Sequence, residues 1–291
     1  MNTEELAAIS AAAAKKAADA KSSPARYLTR AAIAGCFITV GALISCLCAA
    51  WFYADATGVA KLLGAITFSA ALILIVLLGG ELFTGANLVV GIGLYDGKIS
   101  PLDALRVWLY CYGGNLVGVL VICLLVVGSG ASRDLLGSYL ALIIPAKRVC
   151  NRYAIFLKGV LCNLLVCIGV YAGFRLKSES GKILVITLVI TTFVIAGFEH
   201  SIANMAFFSL YALLVPGVDF LAVVHSGQFT GRRSPFGPSP LVCGHAENRK
   251  KSLTKCAVCC IVCHCKVLLL YTTTCGGGYA EKPSLSYVYA L

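Results

Sequence analysis

The chain has 291 residues, 59% hydrophobic and 13% charged, with a mean hydropathy of +0.88. These values lie far from the globular average and argue against a water-soluble domain in favour of a polytopic membrane protein. A net charge of +11 would suit a nucleic-acid binder, but Lys and Arg fall mainly in short segments between apolar runs, as loop charges of membrane proteins do, so no nucleic-acid partner is expected.

Residues 1–30 predict a cytoplasmic N-terminal helix rich in Ala, carrying Lys15, Lys16, Lys21, Arg26 and Arg30. It is expected to lie in water or on the headgroups of an anionic leaflet. No apolar core precedes Ala31, so no cleavable secretory signal is read. Residues 31–225 form the transmembrane region, and Ala31 to Tyr53 is long enough to cross roughly 30 Å of hydrocarbon. After Lys61 the chain is uncharged from Leu62 to Leu78, meets Gly79-Gly-Glu-Leu-Phe-Thr-Gly-Ala-Asn87, and resumes as Leu88 to Leu94. Glycines, a carboxylate, a hydroxyl and an amide packed this closely predict a broken second span.

Asp96 to Arg106 reads as a polar loop and Val107 to Val127 as a third span, in which Gly114 and Gly118 make a small-xxx-small helix contact. Ser129 to Arg152 is a longer connecting segment with Arg133, Lys147, Arg148 and Arg152. The fourth span, Ala154 to Phe174, contains Asn163, a buried amide that serves either as interhelical glue or as pore lining. Arg175 to Lys182 is a basic loop before the last apolar run, Ile183 to Leu214. Counting from an inside N-terminus, the inner segments hold ten Lys and Arg and the outer ones five, which favours a cytoplasmic N-terminus.

Within that last run, Phe193 to Met205 introduces Gly197, Glu199, His200 and Asn204. An ionisable side chain at membrane depth costs a few kcal/mol, so it marks a cavity or pore. At helical spacing Phe193, His200 and Asn204 fall near one face while Glu199 points elsewhere, and Gly197 favours a break. The blander alternative is that Glu199 and His200 satisfy each other in helix packing. Two broken spans well apart in the chain are the pattern of an internal repeat whose interrupted helices meet at the midplane.

The successive segments Gly80-Glu-Leu-Phe-Thr-Gly85, Gly114-Asn-Leu-Val-Gly118, Leu161-Cys-Asn-Leu-Leu-Val-Cys167 and Gly197-Phe-Glu-His-Ser-Ile-Ala-Asn-Met205 resemble, in order, the signatures of the formate/nitrite transporter family. The resemblance covers roughly residues 25–225. It implies an all-α, aquaporin-like homopentamer whose protomers have six spans, here five plus an atypical sixth, with breaks at Glu81 to Gly85 and just before His200. It places His200 at the pore centre with Thr84 beside it. Phe68, Leu72 and Phe193 fall at constrictions, with Asn163 near one and Leu82 and Phe83 near the other. Lys158, or one of Lys147 and Arg148, would sit in an outer vestibule. Glu199 and Asn204 complete the expected polar set around His200. The implied cargo is formate, with nitrite or hydrosulfide next, taking a proton to pass as the neutral acid. No cofactor, metal or enzymatic activity is expected.

Competing readings are an intramembrane enzyme using Glu199 and His200, and a non-transporting structural member of the family. Adjacent helical residues point about 100° apart, which disfavours the enzyme. The C-terminal segment 226–291 motivates the other, because from Ser226 the family's sixth-span pattern gives way to a Pro/Gly-rich and then Cys-rich stretch, as an altered reading frame or mispredicted exon would produce. Eight of the fifteen cysteines lie in or beside apolar spans, where a thiol is a small hydrophobe, and the other seven fall in the last fifty residues. There Cys256, Cys259, Cys260, Cys263 and Cys265 surround His264, but no second separated pair follows to complete a zinc site. Ala257 to Tyr271 could serve as a makeshift sixth span.

Overall fold

The long apolar stretches form helices, and some of these end at glycine, as at Gly79 and Gly130. Pro24 and Pro101 each open a long helix at a position where the missing N–H costs nothing, and Ser100 caps the second by accepting from the Asp103 N–H at 3.1 Å. The computed structural model describes residues 3–147 and 152–218. Among them the elements are α1 (Thr3–Ser22), α2 (Pro24–Phe52), α3 (Thr57–Leu78), α4 (Phe83–Tyr95), α5 (Pro101–Ser129), α6 (Arg133–Lys147), α7 (Arg152–Arg175), α8 (Glu179–Ile195) and α9 (Ser201–Leu214), with no strand. Helices α2, α3 and α5, and Tyr153–Arg175 of α7, are long and apolar enough to cross a membrane. The pairs α3/α4 and α8/α9 are the two interrupted spans. Arg148, the sixth span and the cysteine-rich segment lie outside the described residues.

α2 packs against α3 and α5, α8 against α3 and α7, α9 against α5 and α6, and α4 fills the space between α5 and α7. The α2–α5 seam depends on the glycines of the third span. A Cβ on Gly118 would stand 1.8 Å from the Ala32 carbonyl oxygen, and one on Gly114 2.5 Å from the Ala31 Cβ. The helices must separate to admit a methyl, so Gly118→Ala is expected to cost about 2 kcal/mol of stability, measurable as a lower melting temperature in detergent. Large apolar side chains such as Leu124, Leu125, Leu184 and Leu188 stand exposed on the outer surface, an arrangement stable against lipid or a neighbouring protomer and not against water.

Three segments differ from their sequence-based expectation. Ser129 to Arg152 is not a plain connection: α6 folds inward and buries Leu136, Tyr139, Leu140, Ile143 and Ile144, spaced three and four apart as a helical stripe requires. Pro101 also starts α5 within the stretch read as polar loop. Helix α1, in turn, does not simply lie in water. Ile9, Ala13, Ala17 and Ala20 make a flat buried face, and a Cβ on Gly93 of α4 would meet the Ala13 Cβ at 2.3 Å. Glu5 secures one end, accepting from Tyr171 Oη at 2.6 Å and pairing with Arg175 at 2.7 Å. Lys16 secures the other on the carboxylate of Glu81.

Candidate functional site

The two breaks create the site. Gly79, at φ 82°, ends α3 with its N–H on the Ile75 carbonyl, and Gly197, at φ 68°, follows the end of α8; both occupy the left-handed region that favours glycine. Backbone freed at membrane depth must find partners, and a single buried side chain supplies many of them at the first break. Asn115 Oδ1 accepts from the Phe83 N–H at 2.9 Å, while its Nδ2 donates to the carbonyls of Ala31 at 2.8 Å and Glu81 at 2.9 Å. The Glu81 carboxylate is held in turn by Lys16, by Tyr27 Oη at 3.1 Å and by Arg30 at 3.1 Å.

At the second break His200 is the N-cap of α9, and its Nδ1 accepts from the Ala203 N–H at 3.0 Å. An accepting nitrogen carries no proton, so the neutral ring has its hydrogen on Nε2. That Nε2 lies 3.0 Å from Thr84 Oγ1, in the first turn of α4. One hydrogen bond therefore joins the two breaks, and the starts of two half-helices meet there.

Aromatic rings pack beside this bond. Phe193 stacks on His200 at 6.0 Å and 21°, Phe68 meets Phe193 edge-on at 6.0 Å and 88°, and Phe207 stacks on Phe68 at 6.1 Å. Phe68, Phe193 and His200 are walls common to two cavities. The smaller, about 10 Å³ and completed by Leu72, Leu82 and Ile190, is at the lower limit for one water. The larger, about 40 Å³, has room for a few waters or a small anion and is lined in part by Ser45, Tyr139, Lys147 and Asn204. Ser45 and Cys46 sit some sixteen residues along α2 from Arg30, or roughly 24 Å at 1.5 Å per residue, so the larger cavity lies toward the end away from α1.

A polar cluster borders that cavity. Lys147 Nζ pairs with Glu199 at 3.0 Å, Asn204 Nδ2 donates to the same carboxylate at 2.9 Å, and Nζ lies 5.8 Å over the Phe207 ring. The helical-wheel expectation that sends Glu199 away from Asn204 fails here because the helix is interrupted between α8 and α9. Glu199 and His200 also have different partners, one facing Lys147 and the other α4, so they do not satisfy each other.

The remaining expected residues fall elsewhere. Phe83 turns its ring edge-on to Tyr112 of α5 at 5.4 Å and lines neither cavity. Asn163 accepts from Asn87 Nδ2 at 3.2 Å and donates to Cys167 Sγ at 3.6 Å, which ties α7 to α4. Lys158 lies on α7 and lines neither cavity.

The family model described as formate/nitrite transporter matches residues 3–230. The chain belongs to the formate/nitrite transporter family. Among its relatives is the uncharacterized transporter YwcJ of Bacillus subtilis, 33% identical over 215 residues, which cover 74% of this chain and 84% of that one. The nitrite transporter NirC of Salmonella typhimurium is 30% identical over 72% of this chain and 77% of its own. The formate channel FocA of Escherichia coli K12 is 38% identical over 58% of this chain, and the alignment spans 62% of FocA's length. A solved FNT family ion channel superposes with a TM-score of 0.70 at 28% identity, covering 79% of this chain and 91% of that one. A pentameric formate channel with formate bound superposes at 0.62 and shares the fold at 24% identity, over 84% and 94% of the two chains.

This member of the family is thus an all-α, multi-pass integral membrane protein. The family match begins at residue 3 and takes in α1, which the motif resemblance did not reach. Sequence reasoning also missed Phe207 and Tyr139. Phe207 lies seven residues after His200, two helical turns along α9, a spacing that marks the same face.

Proposed function

We propose that this transporter conducts small monovalent anions, formate first and nitrite or hydrosulfide next, through a pore in each protomer of a homopentamer with cytoplasmic N-termini. The relatives named formate channel and nitrite transporter support that substrate class, and the solved pentameric channel of the same fold supports the assembly. The observation that carries the reading is the His200 Nε2 to Thr84 Oγ1 contact, set beside an apolar partition with a cavity bordered by Lys147 and Asn204 on one side.

A charged formate cannot enter the space between Phe68, Leu72 and Phe193 without losing water, at a cost of many kcal/mol. Lys147 offsets the negative charge of Glu199 beside the larger cavity, so the approaching anion is not repelled there. As hydration is lost the anion's own pKa rises, it accepts a proton, and it crosses as the neutral acid. The Nε2–H of His200, shared with Thr84, is the donor positioned to bond the acid's oxygen as it passes the partition.

Proteoliposome uptake of formate, nitrite and hydrosulfide across mildly acidic to mildly alkaline pH tests this. Uptake that increases toward acid supports the neutral-acid route, whereas absence of flux for all three from folded protein refutes the channel. Lys147→Gln is expected to lower formate uptake about tenfold at low ionic strength and by less in high salt, where its charge is already screened. A salt-independent defect would show that Lys147 acts only through its bond to Glu199.

A further inference from the structure

Among the residues lining the larger cavity, Tyr139 has a polar group that the transport scheme leaves unused. Ser45 Oγ donates to the Gly64 carbonyl at 2.8 Å, Lys147 and Asn204 both bond Glu199, and His200 bonds Thr84 and α9. Tyr139 of α6 lines the same cavity and is only 5% exposed, yet its hydroxyl has no hydrogen-bond partner among the described residues. Buried hydroxyls are almost always bonded, and one left alone is costly. Its ring is anchored by an edge-on contact with Tyr53 at 5.4 Å and 72°, so the position of the hydroxyl is set by packing.

We propose that Tyr139 is a specificity-determining residue, its hydroxyl donating a hydrogen bond to an oxyanion in the vestibule before the Phe68 and Phe193 partition. The inference rests on the anion-channel reading and extends it to substrate preference. Carboxylate and nitrite oxygens accept strongly from a phenol, whereas sulfur is a weak acceptor. Tyr139 therefore favours formate and nitrite over hydrosulfide. Lys147, a point charge, acts on all three alike.

Tyr139→Phe removes the hydroxyl and keeps the ring against Tyr53. In proteoliposomes it is expected to raise the formate and nitrite KM about tenfold, the size of a lost bond to a charged group, while the hydrosulfide KM stays put and the ratio between substrates shifts accordingly. An equal change for oxyanions and hydrosulfide, or no change for either, overturns the proposal. A second measurement does not depend on flux: the thermal melting of detergent-solubilised protein in sodium formate against sodium chloride. Formate is expected to raise the melting temperature of the wild type and to raise that of Tyr139→Phe much less. Equal shifts in both proteins, or none in the wild type, overturn the site. A wild type that is stabilised by formate in a Tyr139-dependent way but carries no anion would sustain the site and refute the channel.

Discussion

Formate uptake by His200→Phe is expected to fall about 10- to 100-fold, and the protein's thermal stability is expected to fall with it. The ring performs two separable tasks. Nε2–H faces Thr84 and, in the proposed channel, the passing acid; a hydrogen bond to a charged or charging oxygen is worth about 1.5–3 kcal/mol, which converts to that range of rate. Nδ1 caps α9 through the Ala203 N–H, and loss of such a cap costs about 0.5–2 kcal/mol. His200→Asn separates the two, since Asn is a good N-cap but its short amide does not extend to Thr84. Its melting temperature should stay near wild type while uptake stays low. Wild-type uptake by His200→Asn would show that the Nε2 donor is dispensable, leaving only the cap as the residue's contribution.

Asn115→Ala is expected to destabilise the fold by about 3 kcal/mol and to reduce transport as well. The side chain is fully buried and makes three hydrogen bonds across the first break. Each contributes about 0.5–1.5 kcal/mol net, and the stranded Phe83 N–H adds a desolvation cost of about 1–3 kcal/mol. Phe83 immediately precedes Thr84, so slack at its N–H passes to the hydroxyl that bonds His200. Denaturation in detergent reads the first effect, and hydrogen exchange across residues 79–86 reads the second as faster exchange than in wild type. Unchanged exchange there would mean that Glu81, with its partners Lys16, Tyr27 and Arg30, holds the break without Asn115.

Both breaks were legible in the sequence because glycine beside a carboxylate or imidazole inside an apolar run is a local signal. The grouping of Phe68, Leu72, Leu82, Phe193, Thr84 and His200 followed from family resemblance, since spacing alone cannot bring α3, α4, α8 and α9 together. Glu199 was misdirected by a helical wheel drawn through a segment that is not helix. Phe83 was expected at the constriction, but a residue at the first position of a half-helix takes its direction from the break, and the break turns it toward Tyr112. The conspicuous Lys residues of α1 point to a helix in water or on lipid headgroups. Its binding face is Ile and Ala, nearly silent in composition, and the partners of Glu5 and Lys16 lie far away in sequence. The inward face of α6 carried a three- and four-residue apolar spacing that the surrounding basic residues obscured.

The half-helices α4 and α9 both begin at the contact of Thr84 with His200, and each helix start behaves as roughly half a positive elementary charge. Together they place close to one unit of positive charge at that contact without relying on a titrating cation. That charge does not vary with pH, so a pore centred there, as proposed, would repel sodium, potassium and hydronium whether the surroundings are acidic or alkaline. A pore of this kind can pass weak acids down their gradients while leaving the cation gradients that energise the membrane intact.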